Sequence, residues 1–233
     1  MTPEEPVAGR IDTSFAGIYT ELRERIGLLV YPPGTALSEN VLADEFGVSR
    51  TPIRRVLHRL EFDGLVTVTH GVGTIVTPID MMYLKQVYAL RRKLIDVIAE
   101  LSHAHVADDD LNILEDLVAQ AGQLRAEREP RRLGILYLRF HEAFGRAIGN
   151  QPLREVTDRL FYQTHRAWLQ LLPEMDWGQE VDAVVDEISR VRAALCDRDM
   201  QRVSDVRREH FVLALRRLNS HLSGEEVAPV PAR

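Results

Sequence analysis

The stretch from Ser38 to Arg59 constrains the fold more than any other. Val41, Leu42 and Phe46 are apolar at helical spacing behind Ser38, whose hydroxyl can accept a first-turn N–H. A short helix over about 39–46 is therefore predicted. Gly47 stops it, since glycine enters the left-handed conformation at a helix end without steric cost. Ser49 is placed to cap a third helix, with Pro52 in the first turn, where a missing N–H is harmless. Ile53, Val56, Leu57 and Leu60 form the inward stripe of that helix, and Arg50, Arg54, Arg55, His58 and Arg59 lie off it. A small residue (Ala43), a turn glycine (Gly47) and apolar anchors (Ile53, Val56) follow in the order that two steeply crossed helices require. An earlier helix is predicted from Ile18, Leu22, Ile26 and Leu29, ended by Tyr31-Pro32-Pro33-Gly34.

The apolar period then changes from helical to two. Leu65 to Thr69 and Thr74 to Thr77 are β-branched runs on either side of His70-Gly71-Val72-Gly73, which predicts a hairpin. Helix, helix, turn, helix and hairpin make a winged helix-turn-helix. The second helix of such a pair enters the major groove of DNA with its N-terminal residues at the base edges. Those residues are Arg50, Thr51 and Arg54. Arginine can contact guanine bidentately, and Thr51 with the first-turn amides suits phosphate. The hairpin tip, His70-Gly71, is expected at the minor groove or backbone. The chain's net charge of −6 does not argue against this, because residues 46–60 carry four arginines and no acid. Phosphates respond to local potential.

Beyond residue 79 no strand is expected. Helices of about 81–106, 109–127, 132–148, 152–172, 178–197 and 199–222 are predicted, punctuated by Glu129-Pro130, Gly149 to Pro152, and Pro173. The fold class is therefore mainly α: a winged helix-turn-helix with a small β-hairpin, then an all-α bundle of about six helices. The expected division is a flexible N-terminus at 1–13, the winged unit at 14–78, a linker at 79–80, the helical domain at 81–222, and a disordered tail at 223–233. No apolar run approaches the ~18 residues of a membrane span, and the acidic, Pro-containing start lacks the features of a secretory signal. A single cysteine, Cys196, excludes a disulfide framework and Cys-based zinc modules, which points to the cytoplasm.

The residues Pro33-Gly34, Ser38-Glu39, Leu42-Ala43, Gly47 to Arg54 and Gly64-Leu65 resemble the N-terminal domain of GntR-type bacterial transcription regulators. Leu90-Arg91, Phe140-His141, Gly149-Asn150, Pro152-Leu153 and His210 are similar to the helical ligand-sensing domain of the FadR-like subgroup. The resemblance implies a homodimeric, metabolite-responsive regulator, a repressor by expectation, that binds a palindromic double-stranded operator. It carries the DNA contacts to Arg50, Thr51, Pro52, Arg54, His70 and Gly71. At one further contact position, where the family usually has arginine, this chain has Asn40.

Many members of the subgroup hold a divalent metal with one Asp and three His. Here two of those positions are Tyr137 and Ile188, leaving His141 and His210, so a metal is disfavoured and no cofactor is expected. Both histidines fall on apolar helix faces, where imidazoles need partners. A cavity binding a small anionic effector, such as a carboxylate, would supply them. Arg91 is the candidate clamp, with Tyr137, Asn150, Tyr162 and His165 around it. His103 and His105 read as surface residues at a helix end. Two other readings stand beside this one. A ligand-independent dimeric DNA-binding protein would share the arginine face. A helical-bundle metalloenzyme would need two Glu-x-x-His pairs, and only Glu100 with His103 is present.

Overall fold

The computed structural model describes residues 12–69, 73–102 and 106–223, with side chains through Leu218. The chain divides into two compact units, Met1–Ile79 and Asp80–Arg233. Most of the predicted flexible N-terminus (1–11) and nearly all of the tail (224–233) lie outside the described residues, as do His103 and His105.

In the first unit, α1 (Phe15–Gly27) precedes the crossed pair α2 (Glu39–Phe46) and α3 (Arg50–Phe62). Ile18, Leu22 and Ile26 from α1 meet Ile53, Val56, Leu57 and Leu60 from α3, and all seven are essentially without solvent contact. Each such side chain contributes roughly 1.5–3 kcal/mol relative to exposure. This seam anchors α3 by one side and leaves its charged side facing solvent. Ser38 caps α2 by accepting from the Val41 N–H, and Gly47 ends it at φ 65°. Ser49 occupies the N-cap position of α3, but its side chain makes no capping hydrogen bond, so the predicted cap is positional only.

The predicted hairpin is present as β2 (Val66–Thr69) and β3 (Gly73–Val76). It is not alone. Ala36 and Leu37 form a short strand, β1, antiparallel to β3 in the register Ala36↔Ile75, so the sheet has three strands in the order β1-β3-β2. A two-residue strand has too few positions to show a period, and the Pro32-Pro33-Gly34 turn before it masks the segment.

In the second unit, α4 (Met81–Leu101), α5 (Asp108–Gln123), α6 (Pro130–Ala147), α7 (Gln151–Leu171), α8 (Trp177–Cys196) and α9 (Met200–Ser223) form a bundle, with a 3₁₀ turn at Leu172–Glu174 after α7. α4 packs on α9 and α7, while α5 packs on α8 and α6. Two ends differ from expectation. α4 stops at Leu101, and α5 stops at Gln123, where Leu124 and Arg125 turn their N–H groups to carbonyls three residues back. Asp80, Asn150 and Asp176 cap α4, α7 and α8 through their side chains. Among the described residues no helix is long and apolar enough to cross a membrane.

Candidate functional site

The charged side of α3 presents Arg50, Thr51 and Arg54 to solvent, with Pro52 half-exposed beside them. The two arginines are not free. Both converge on the carboxylate of Glu39, the first residue of α2. Arg50 donates from Nε and Nη2 to Oε2 at 3.3 and 2.8 Å. Arg54 donates from Nε to Oε1 and from Nη2 to Oε2, both at 2.9 Å. Hydrogen bonds from Arg54 and then Arg50 pull the Glu39 carboxyl down to about 2. Sequence reasoning passed over Glu39, although the steep crossing of α2 and α3 is what brings residue 39 to residues 50 and 54. Asn40 is exposed and lines a groove with Ser38, Glu39, Arg50, Val68 and Thr74, between the start of α2 and the wing. His70 and Gly71, predicted at the hairpin tip, lie outside the described residues.

The second unit encloses a small cavity of about 20 Å³ whose lining includes Arg91, Tyr137, Thr164, His165, Trp168, His210 and Phe211. Four of the predicted effector residues therefore meet there: Arg91, Tyr137, His165 and His210. The other three do not. Asn150 accepts from the Leu153 N–H as the cap of α7. Tyr162 is buried edge-on against Phe161. His141 faces a separate outer cleft, bonded to Asp158 at 3.1 Å and stacked on Phe161 at 3.8 Å.

Arg91 is buried, lies over the Phe211 ring at 4.4 Å, and donates from Nη1 to the Thr164 hydroxyl. Its Nε and Nη2 have no partner among the described residues, and neither ring nitrogen of His165 has one. Burial, and then repulsion from Arg207, pulls the Arg91 guanidinium down to about 10. Burial lowers His165 to about 3 and His141 to about 4, so both are neutral at physiological pH.

Behind Tyr137 lies a polar group that the sequence did not disclose. Arg207 donates from Nη1 to Glu187 Oε1 at 2.6 Å, Tyr137 donates to Glu187 Oε2 at 2.8 Å, and His210 Nδ1 stands 3.1 Å from Oε2. Arg207 sits among the rings of Phe140, Phe144 and Phe211 at 4.8–5.1 Å. Burial opposes its charge, but Glu187 and Tyr137 outweigh that and raise it. In α8, Glu180 and Glu187 share the face of Val184, Ile188 and Val191 and are both buried. The heptad spacing of the two carboxylates was the available signal.

This donor set does not suit a divalent cation. Burial raises the Tyr137 phenol, which keeps its proton, and Ile188 offers no donor. Both nitrogens of His210 are engaged, by Glu187 and Tyr137. Two guanidiniums nearby repel further positive charge. No group of three or more His, Cys, Asp or Glu side chains with metal-holding geometry occurs among the described residues.

Residues 15–76 match the bacterial regulatory proteins of the gntR family, and residues 86–213 match the FCD domain. An uncharacterised helix-turn-helix-type transcriptional regulator from an unstable DNA locus of Streptomyces ambofaciens is 29% identical over 213 residues, covering 78% of this chain and 87% of that protein. The uncharacterised regulator YdhC of Bacillus subtilis is 27% identical over 143 residues, covering 61% of this chain and 64% of its own length. Among solved structures, Escherichia coli McbR/YncC shares the fold with a TM-score of 0.74 at 18% identity, over 89% of this chain and 98% of that one. With both of its units accounted for, the chain belongs to the GntR family: it is a DNA-binding transcription regulator with an FCD effector-binding domain.

Proposed function

We propose that the chain acts as a homodimeric repressor whose operator binding is set by a small carboxylate held in the sensor cavity, without a metal. Arg50, Thr51 and Arg54 read the major groove, and Asn40 takes a weaker place beside them. The observation that carries the effector reading is the unpartnered Nε–Nη2 edge of Arg91. That edge is the fork that matches the two oxygens of a carboxylate. The charge count agrees. Arg207 is paired with Glu187 and Arg217 with Glu180, whereas buried Arg91 has no carboxylate partner among the described residues, and a bound anion offsets its charge. Neutral His165 can donate one N–H to the same ligand.

The cavity holds little more than a water molecule, so a ligand must displace neighbouring side chains to enter. That displacement gives the ligand different affinities for two arrangements of the domain, which a switch requires. This points to a regulator rather than an enzyme.

The test is a thermal-shift screen of the full chain against small monocarboxylates and their amides. An acid at 100 times its dissociation constant adds about 2.7 kcal/mol, and the matched amide adds none. Arg91→Lys keeps a charge but loses the fork, and should abolish the response. An unchanged response in Arg91→Lys sinks the assignment. Deleting the gene should raise expression from the operator; a fall would make the protein an activator. Sedimentation at twice 26.5 kDa checks the dimer.

A further inference from the structure

We infer that Glu39 is a specificity-determining residue that positions both reading arginines and suppresses their attraction to DNA of any other sequence. The inference rests on the major-groove assignment of α3 given above. A guanidinium has two edges that can bind bidentately: a side edge, Nε with Nη2, and an end edge, Nη1 with Nη2. Glu39 takes Nε and one N–H of Nη2 from each of Arg50 and Arg54. What remains on each arginine is the end edge, which is the fork that meets O6 and N7 of guanine. The two side chains are more than half exposed, and without Glu39 nothing else among the described contacts would hold their long stems in one rotamer.

The carboxylate also changes the electrostatics of the face. Arg50 and Arg54 alone present two positive charges to the phosphates; with Glu39 between them they present one. Counterion release scales with the charges neutralised, so Glu39 subtracts from sequence-independent binding. It does not subtract equally from the operator, where the end edges meet base acceptors. A single acid thus weakens the wrong complexes more than the right one, which is how a specificity ratio is raised.

The experiment measures affinity by fluorescence anisotropy across a salt series. The full-length chain is tested on a duplex selected from random sequence by the wild-type protein, and on a scrambled duplex of the same composition. Glu39→Gln should bind the scrambled duplex more tightly, with a log–log salt slope steeper by about one, and its operator-to-scrambled affinity ratio should fall at least about tenfold. Glu39→Asp keeps the charge but shortens the reach. It should leave scrambled-duplex binding near wild type and lower operator affinity alone. A thermal melt confirms that each variant is folded; if Glu39→Gln is not, Glu39→Asp carries the test. A ratio within about threefold of wild type in the folded variants overturns the proposal, whichever way the separate affinities move. A double Arg50→Ala/Arg54→Ala variant that still binds the operator at full strength would instead overturn the major-groove assignment beneath it.

Discussion

Each unit of this protein sets arginines against a glutamate, and the two clusters behave in opposite ways. In the winged unit Arg50 and Arg54 share Glu39 at the surface, with side-chain exposures of 58% and 56% against 24% for the acid. In the sensor unit Arg207 pairs with Glu187, both 1% exposed, and buried Arg91 feels both charges with only the Thr164 hydroxyl as its hydrogen-bond partner among the described residues. Water screens the first cluster, so its contribution to stability is small. The second cluster has no water to fall back on. Every donor left unmatched there costs free energy, and Arg91 and Arg207 each leave Nε and Nη2 unmatched among the described residues. Arginine beside glutamate therefore gives a surface whose guanidiniums keep a solvated edge beside their acid, and an interior in which buried guanidiniums keep donors unmatched.

The comparison can be broken most forcefully at Glu187. Removing one partner of a buried pair leaves a bare charge, so Glu187→Leu should destabilise the sensor unit by about 3–5 kcal/mol. A second change, Arg207→Met, should restore most of that loss, because the apolar pair fits the Phe140, Phe144 and Phe211 surroundings. Urea unfolding followed by tryptophan fluorescence reads this unit alone, since Trp168 and Trp177 are the chain's only tryptophans. If Glu187→Leu costs nothing, the pairing described here is wrong.

Acid should act on the same unit. His141 and His165 are held below their unfolded values, so the unfolded chain takes up protons that the folded chain refuses. Their contribution is complete above pH 6.5 and shrinks as pH falls toward about 4 for His141 and about 3 for His165. At pH 5.5 each costs about 1.4 kcal/mol relative to pH 7.5. Tryptophan-monitored melts at the two pH values measure it, and equal stability would contradict the burial of these rings.

In the winged unit the ordering reverses, with large effects on binding and small ones on stability. Arg50→Ala or Arg54→Ala should each cost about 1–3 kcal/mol in operator affinity, read by anisotropy, and relax base preference at one position. Unfolding free energy should move by no more than about 0.5 kcal/mol. An effect on stability alone belongs to a residue once expected in the effector site. Asn150→Ala removes the cap of α7 and should cost about 1 kcal/mol of stability while leaving the effector response intact.

The winged unit was largely legible in the sequence because its information is local. Ser38, Gly47 and the stripe Ile53, Val56, Leu57, Leu60 each act within a turn or two of the chain, and each stands where the pattern put it. Ala36-Leu37 escaped because a strand of two residues exists only through its partner, β3. The sensor cavity was half legible. Helical period placed His141, with Tyr137 beside it, and His210 on inward faces, but period does not say which inward faces meet. Asn150 was drawn away by a backbone N–H three residues on, and His141 by Asp158 on the next helix. Glu187 and Arg207 were missed for the opposite reason: charged residues read as solvated until a partner 20 positions away is known to neutralise them.

The two-residue strand β1 has one further consequence. Ala36 and Leu37 are fastened to β3 by the rungs Ala36↔Ile75 and Leu37↔Thr74, and they run directly into Ser38 and Glu39. The inner rail of the wing and the start of α2 are thereby bolted together without an intervening loop. On the docking proposed above, they form a fixed caliper, set to one span along the duplex. Insertion or deletion of a base pair between the points the caliper touches has to be absorbed by bending or twisting the DNA, because the protein has no joint there with which to follow.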